Sequence, residues 1–359
     1  MPLFSLNPKE SPRELFGRDR EMKELISLVR ERRWTAILGP RMVGKTSIIK
    51  ATNKRLEGMN VRTIYVNLWG VKGVNGLLNA LAHGINEDRN IWNKIKDFAE
   101  RIEGISFGPG GITISISRKP MTTLLDLFSA LGRQSEDYVI ELDEAQELSA
   151  ISGHLLKLLA RIFNTYPNII FIFTGSMFGL MKTLLEPKST SPLYGRAPAR
   201  LYLQPFPEET AAEFLRKGFQ EYRIPFKESW IREAIDKLGG VPGWLTLYGN
   251  NVAVRRMPHE RALEETVSEG MKIVRDELEH FLQERDRTTH IAVLKVAATS
   301  ARWREVKAAI EARRGYPVND ATVRNALESL KAAMLIKEDH GTYRVEDPML
   351  RNLLITSEI

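Results

Sequence analysis

Residues 39–46 of the chain read Gly39-Pro40-Arg41-Met42-Val43-Gly44-Lys45-Thr46, a G-x-x-x-x-G-K-T motif. The apolar run Trp34–Leu38 leads into it, and a helical pattern from Ser47 to Leu56 leaves it. Strand, glycine loop and helix in that order constrain the fold more than anything else here, because they form the phosphate-binding βα unit of a parallel sheet. The glycines let successive backbone N–H groups face one anion. The helix start adds the positive end of its dipole. Lys45 is placed to reach the β- and γ-phosphates and Thr46 to hold Mg²⁺. Gly39 to Gly44 and Ser47 complete the wrapping. The ligand implied is ATP or ADP with Mg²⁺.

Further strands are expected at Val61–Asn67, Tyr138–Leu142, Ile169–Thr174 and Arg200–Leu203, separated by helical segments. Short, almost wholly apolar strands of this kind sit at the centre of a parallel sheet buried on both faces. Between them, Ile112, Ile114 and Ile116 alternate with Thr113, Ser115 and Ser117 after a Gly/Pro turn. That alternation predicts a β-hairpin inserted at about residues 104–119. Tyr138-Val-Ile-Glu-Leu-Asp143-Glu144 is an apolar strand ending in two acids. Behind a phosphate loop this reads as a Walker B segment, with Asp143 on Mg²⁺ and Glu144 polarising the attacking water. Glu141 inside the strand has no assigned role. The strand Ile169–Thr174 ends in Thr174-Gly-Ser176, small hydroxyl residues where a γ-phosphate sensor would sit.

From Pro207 the pattern turns helical, with Gly239-Gly240-Val241-Pro242-Gly243 as punctuation. From about Arg287, three helical patterns precede Met334–Glu338, a turn at Asp339-His340-Gly341, and Thr342–Val345. Three helices and a two-stranded wing make a winged helix–turn–helix. The expected fold is α/β: a P-loop NTPase domain over 1–206, a helical lid over 207–286 and a winged helix over 287–359.

Taken together, these segments resemble the archaeal branch of the STAND ATPases, relatives of the AAA+ class, and also the origin-recognition ATPases of that class. The resemblance extends to Gly17-Arg18-Asp-Arg-Glu21, similar to an entry motif over the adenine. It extends to Tyr194-Gly195-Arg196, similar to a segment carrying a phosphate-sensing or finger arginine. It extends also to Gly240-Val-Pro242, similar to a lid motif whose proline abuts the nucleotide, and to Asp347-Pro348-Met349. Gly243 and Trp244 stand where the AAA+ pattern has a lid arginine, which favours the STAND likeness. The resemblance implies a nucleotide-controlled switch with slow hydrolysis and ATP between core and lid. Two alternatives stand beside it: a DNA-binding initiator-like protein, and an ATP-binding scaffold with negligible turnover. Arg196 is left to act in cis or in trans, and nucleotide-dependent self-association is among the expectations.

The net charge is +7, which permits a polyanionic partner without requiring one. Arg302, Arg304, Lys307, Arg313, Arg314 and Arg324 could meet duplex DNA, but Glu305, Glu311 and Asp320 dilute them. Winged helices also bind proteins, so both partner classes stay open. The chain has no cysteine, which excludes disulfides and thiolate metal sites. The six histidines lack ligand spacing, leaving Mg²⁺ as the metal expected. No apolar run reaches membrane-helix length and no signal-like segment opens the chain, so a cytoplasmic location is expected.

Overall fold

The computed structural model describes residues 2–100, 102, 104–108, 111–114, 119–175, 180–283 and 285–356. Ser176, hairpin positions 109–110 and 115–118, and Glu284 lie outside them. By contacts the chain divides into two compact units. The core unit comprises Lys9–Gly39 and Lys45–Leu203. The second comprises Met1–Pro8, the loop tip Pro40–Gly44, and Gln204–Ile359.

The core unit runs α1 (Asp19–Arg30), β1 (Thr35–Leu38), α2 (Lys45–Glu57), β2 (Val61–Asn67), α3 (Gly73–Glu87), α4 (Arg89–Ala99), β3 (Ile105–Gly108), β4 (Gly111–Ile114), α5 (Pro120–Gly132), β5 (Asp137–Asp143), a 3-10 turn (Ala145–Ile151), α6 (Ser152–Thr165), β6 (Ile169–Thr174), α7 (Leu180–Leu185) and β7 (Ala199–Tyr202). Five strands form one parallel sheet in the order β2-β5-β6-β1-β7. Every residue of β1 and β6, and all but the first of β5, is buried. Successive strand residues face opposite sides, so both faces of the central strands are covered. The edge strand β7 differs: Arg200 and Tyr202 are exposed and Leu201 is buried. The expected inserted hairpin is present as β3 and β4, which pair antiparallel with Ile105 opposite Ile114.

The second unit contains α8 (Glu208–Glu221), α9 (Glu228–Leu238), α10 (Pro242–Ala253), α11 (His259–Leu282), α12 (Arg287–Ala297), β8 (Ala301–Arg302), α13 (Trp303–Arg314), α14 (Asp320–Ala332), β9 (Lys337–Asp339), β10 (Thr342–Arg344) and α15 (Pro348–Thr356). Local chemistry sets several boundaries. Pro242 opens α10 at a position that tolerates its missing N–H. Asp286 and Asn319 cap α12 and α14 by accepting from the Thr289 and Thr322 amides. The winged helix carries three strands, in the order β8-β10-β9, where the sequence pattern shows two. The extra strand is the two-residue β8, too short to give a periodic signal.

The start of the chain packs into this second unit. Phe4 is fully buried, stacked on Tyr222 and edge-on to Phe214 and Phe219. A Cβ at Gly218 of α8 or Gly249 of α10 would stand 2.1 or 2.3 Å from its ring. Both helices thus carry glycine at mid-helix, despite its poor propensity, to seat one aromatic. Asn250 Nδ2 donates to the Phe4 carbonyl at 2.9 Å.

Candidate nucleotide site

At the C-terminal ends of the parallel strands, β1 ends at Leu38 and α2 begins at Lys45. Gly44 holds φ +100°, a region that L side chains rarely adopt. Lys45 Nζ donates to the Gly39 carbonyl at 2.9 Å, folding the ammonium back over the start of the loop. Thr46, one residue on, donates Oγ1 to Asp143 Oδ2 at 2.8 Å. The Ser47 hydroxyl accepts from the Lys9 amide at 3.2 Å.

Asp143, the last residue of β5, is 4% exposed. Besides Thr46, Tyr65 of β2 donates to its Oδ2 at 2.7 Å, and the Thr174 hydroxyl bonds Oδ1. Three hydroxyls therefore converge on one carboxylate. Burial, and next the Asp143 charge, push the Tyr65 phenol well above its usual range, so it remains a donor. A single carboxylate flanked by a threonine hydroxyl suits Mg²⁺, a hard cation that keeps waters and takes nucleotide phosphates as its other ligands.

Glu144 follows in a left-handed backbone conformation, φ +60°, uncommon for a non-glycine residue and the kind of outlier that marks functional sites. Its amide donates to Thr174 Oγ1 at 3.2 Å, and Gln146 Nε2 donates to its Oε2 at 2.6 Å. A Cβ at Gly175 would lie 2.0 Å from Gln146 Oε1. Glycine there gives Gln146 room to hold the Glu144 carboxylate. Two residues before Asp143, Glu141 is fully buried and accepts from Asn53 Nδ2 at 2.9 Å. Burial pushes its carboxyl up to about 8 against the pull of that hydrogen bond.

Lys45, Thr46, Asp143, Glu144 and Thr174 are thus assembled at one end of the sheet. Gly17 turns at φ +64° and Arg18, 5% exposed, pairs with Glu21 at 3.0 Å. Arg196 lies elsewhere. Its guanidinium is 5.5 Å from the Phe163 ring, which packs edge-on to Trp34 at 5.2 Å. Trp34 precedes β1, whereas the phosphate loop follows it. The contacts of Arg196 thus lie beside Trp34, at the end of β1 away from the phosphate loop. In the second unit, Pro242 is the first residue of α10, and the Gly240 carbonyl before it accepts from the Phe206 amide at 2.7 Å.

The sequence reading missed Tyr65 and Gln146. Tyr65 looks like any strand aromatic until the register pairs it with Glu141 and brings Asn67 opposite Asp143. Only the spacing Glu144-x-Gln146 was visible in advance.

A family model of ATPase domains predominantly from Archaea matches residues 15–247. A model of the C-terminal winged helix-turn-helix domain of MCM proteins matches residues 282–345. No curated protein matches the chain. Among solved structures, the Walker-type ATPase PABY2304 of Pyrococcus abyssi is similar at 27% identity and a TM-score of 0.79, over 98% of this chain and 99% of that one. The ORC2 protein of Aeropyrum pernix shares the fold at 16% identity and a TM-score of 0.64, over 98% and 96% of the two chains. Cdc6p of Pyrobaculum aerophilum does so at 13% identity and a TM-score of 0.53, also over 98% and 96%. Among the described residues, no helix is long and apolar enough to cross a membrane.

Proposed function

The chain belongs to the family of ATPase domains found predominantly in Archaea, and from that premise we propose that it is a Mg²⁺-dependent regulatory switch of the STAND kind that hydrolyses ATP slowly. The observation that carries this reading is the convergence of Thr46, Tyr65 and Thr174 on Asp143, with Glu144 the next residue. Lys45 leaves the Gly39 carbonyl and neutralises the phosphates. Thr46 and Asp143 would hold Mg²⁺, which would offset the charge that builds on the phosphoryl oxygens. Gly17 and Arg18 lie against the base. Glu144 orients a water in line with the γ-phosphorus, and Thr174 fixes the Glu144 backbone through its amide.

The same contacts support slow turnover. The Glu144 carboxylate is engaged by Gln146, and the Asp143 oxygens by three hydroxyls. These contacts compete with the cation and the water for the two acids, which favours a slow step. Glu144→Gln tests the assignment. The amide keeps the shape and loses the charge, so ATP should bind at parent affinity while single-turnover hydrolysis falls by about 10²-fold or more. Hydrolysis at the parent rate would remove Glu144 from the role.

The winged helix serves this switch as a protein-docking module. On α13, α14 and the wing, several basic groups are already paired, while Arg324 of α14 is exposed. Lys307 meets Asp320 at 2.8 Å, Lys331 meets Glu328 and Glu338, and Arg344 meets Asp339 and Glu346. Basic groups engaged in this way release fewer DNA counterions on binding. The expected outcome is weak duplex binding with a shallow dependence on salt. A steep slope with tight binding would favour the initiator-like reading.

A further inference from the structure

Helix α10 begins with Pro242, which has no N–H, so the amide of Gly243 is the first donor of its opening turn. That amide donates to the Met42 carbonyl at 2.9 Å. Both residues belong to the second unit, which holds the loop tip Pro40–Gly44. The fit leaves no room for a side chain. A Cβ at Gly243 would lie 2.7 Å from Met42 Cβ, 2.7 Å from its terminal methyl and 2.8 Å from its carbonyl oxygen. Met42 itself is left-handed, φ +60°, a conformation that persists only where surroundings impose it. The neighbouring Arg41 is tied to the same unit by an ion pair with Glu277 of α11 at 3.3 Å.

A trans peptide is planar, with its C=O and the following N–H directed to opposite sides. A bond that draws the Met42 carbonyl toward α10 therefore turns the Val43 N–H away from α10. Backbone amides of this loop motif cradle phosphate oxygens. We propose that Gly243 is a positioning residue for nucleotide binding: its N–H pins the Met42–Val43 peptide so that the Val43 N–H is presented to a phosphate of the nucleotide. This rests on reading residues 39–46 as the phosphate loop. Where an AAA+-like lid would offer a guanidinium, this lid offers a backbone amide, and the residue must be glycine because the loop lies against its Cα. Release of the peptide lets it flip, which couples the seating of α10 to phosphate affinity.

The test uses the full chain and calorimetric ATP titration, with thermal melting as the control for folding. Gly243→Ala should weaken ATP binding roughly tenfold or more, about 1.4 kcal/mol. Adding Met42→Gly should recover most of the loss. That change removes two of the three crowding atoms and suits the left-handed backbone. If Gly243→Ala does not fold, an amide-to-ester replacement of the Gly243 nitrogen deletes the donor without adding a side chain and should give the same loss. Parent affinity in Gly243→Ala or in the ester, or a loss that Met42→Gly fails to repair, overturns the proposal. Lys45→Ala separates the two levels. If it alone loses ATP while Gly243→Ala and the ester bind normally, only the role of Gly243 falls. If Lys45→Ala also binds normally, the phosphate-loop reading falls with it.

Discussion

A carboxylate that already accepts from Thr46, Tyr65 and Thr174 must give up part of that company to a divalent cation. Tyr65 is the contact most clearly in competition, because it shares Oδ2 with the Thr46 hydroxyl. Tyr65→Phe should therefore act in two directions. The ligand-free protein should lose about 1.5–3 kcal/mol, the worth of a hydrogen bond to a charged group. The Mg²⁺ concentration for half-maximal ATPase should drop. Thermal melts and a Mg²⁺ titration check both, and no change in the second would mean that Tyr65 does not compete with metal. Residues such as Lys45, Thr46, Asp143 and Glu144 are legible in sequence because their chemistry comes in contiguous words next to a strand end. Tyr65, Gln146 and Gly243 are not, since each acts through a partner fixed only by strand register or by the packing of a distant helix.

Elements repeat that lesson on a longer scale. The apolar runs of β1, β5 and β6 follow from burial on both faces, and the hairpin's alternation from burial on one, so run length in the first case and period in the second find them. The two residues of β8 have no period to read and become a strand only because Tyr343 pairs across from Ala301. Helix α12 holds another feature hidden in sequence. His290 is buried against Phe281, with Nδ1 2.7 Å from the Asp286 carbonyl. Burial, and then the Arg285 charge, push its pKa down to about 4. As pH falls below 6.5, the unfolded chain takes up a proton that the folded ring refuses until about 4. Stability should thus decline across that window and owe nothing to this group above it. His290→Phe should lose about 0.5–1.5 kcal/mol at pH 7 for the missing hydrogen bond yet show a smaller drop between pH 7 and 4.5. Urea unfolding at the two pH values measures this, and an undiminished drop would clear His290 of the effect.

For the whole molecule, the place of Arg196 decides between solitary and collective action. Exposed and packed on Phe163 beside Trp34, it is not among the groups assembled around Lys45. We therefore expect it to act on a neighbouring copy, where a finger arginine is worth roughly 10³–10⁵ in rate. Specific activity should rise with protein concentration, and mixing Arg196→Ala chains with Lys45→Ala chains should restore hydrolysis. Flat activity and no rescue would leave Arg196 a surface residue stacked on Phe163. The path of the backbone carries a different consequence. It passes between the units four times, at residues 8/9, 39/40, 44/45 and 203/204. Phe4 must wait for Asn250, 246 residues downstream, before its carbonyl is satisfied. On a ribosome the segment around Phe4 thus emerges long before the helices that seat it. The core unit can close once Leu203 has emerged, while the first few residues trail unburied until α8 and α10 exist to receive them. For this segment, the order of birth and the order of burial run opposite ways.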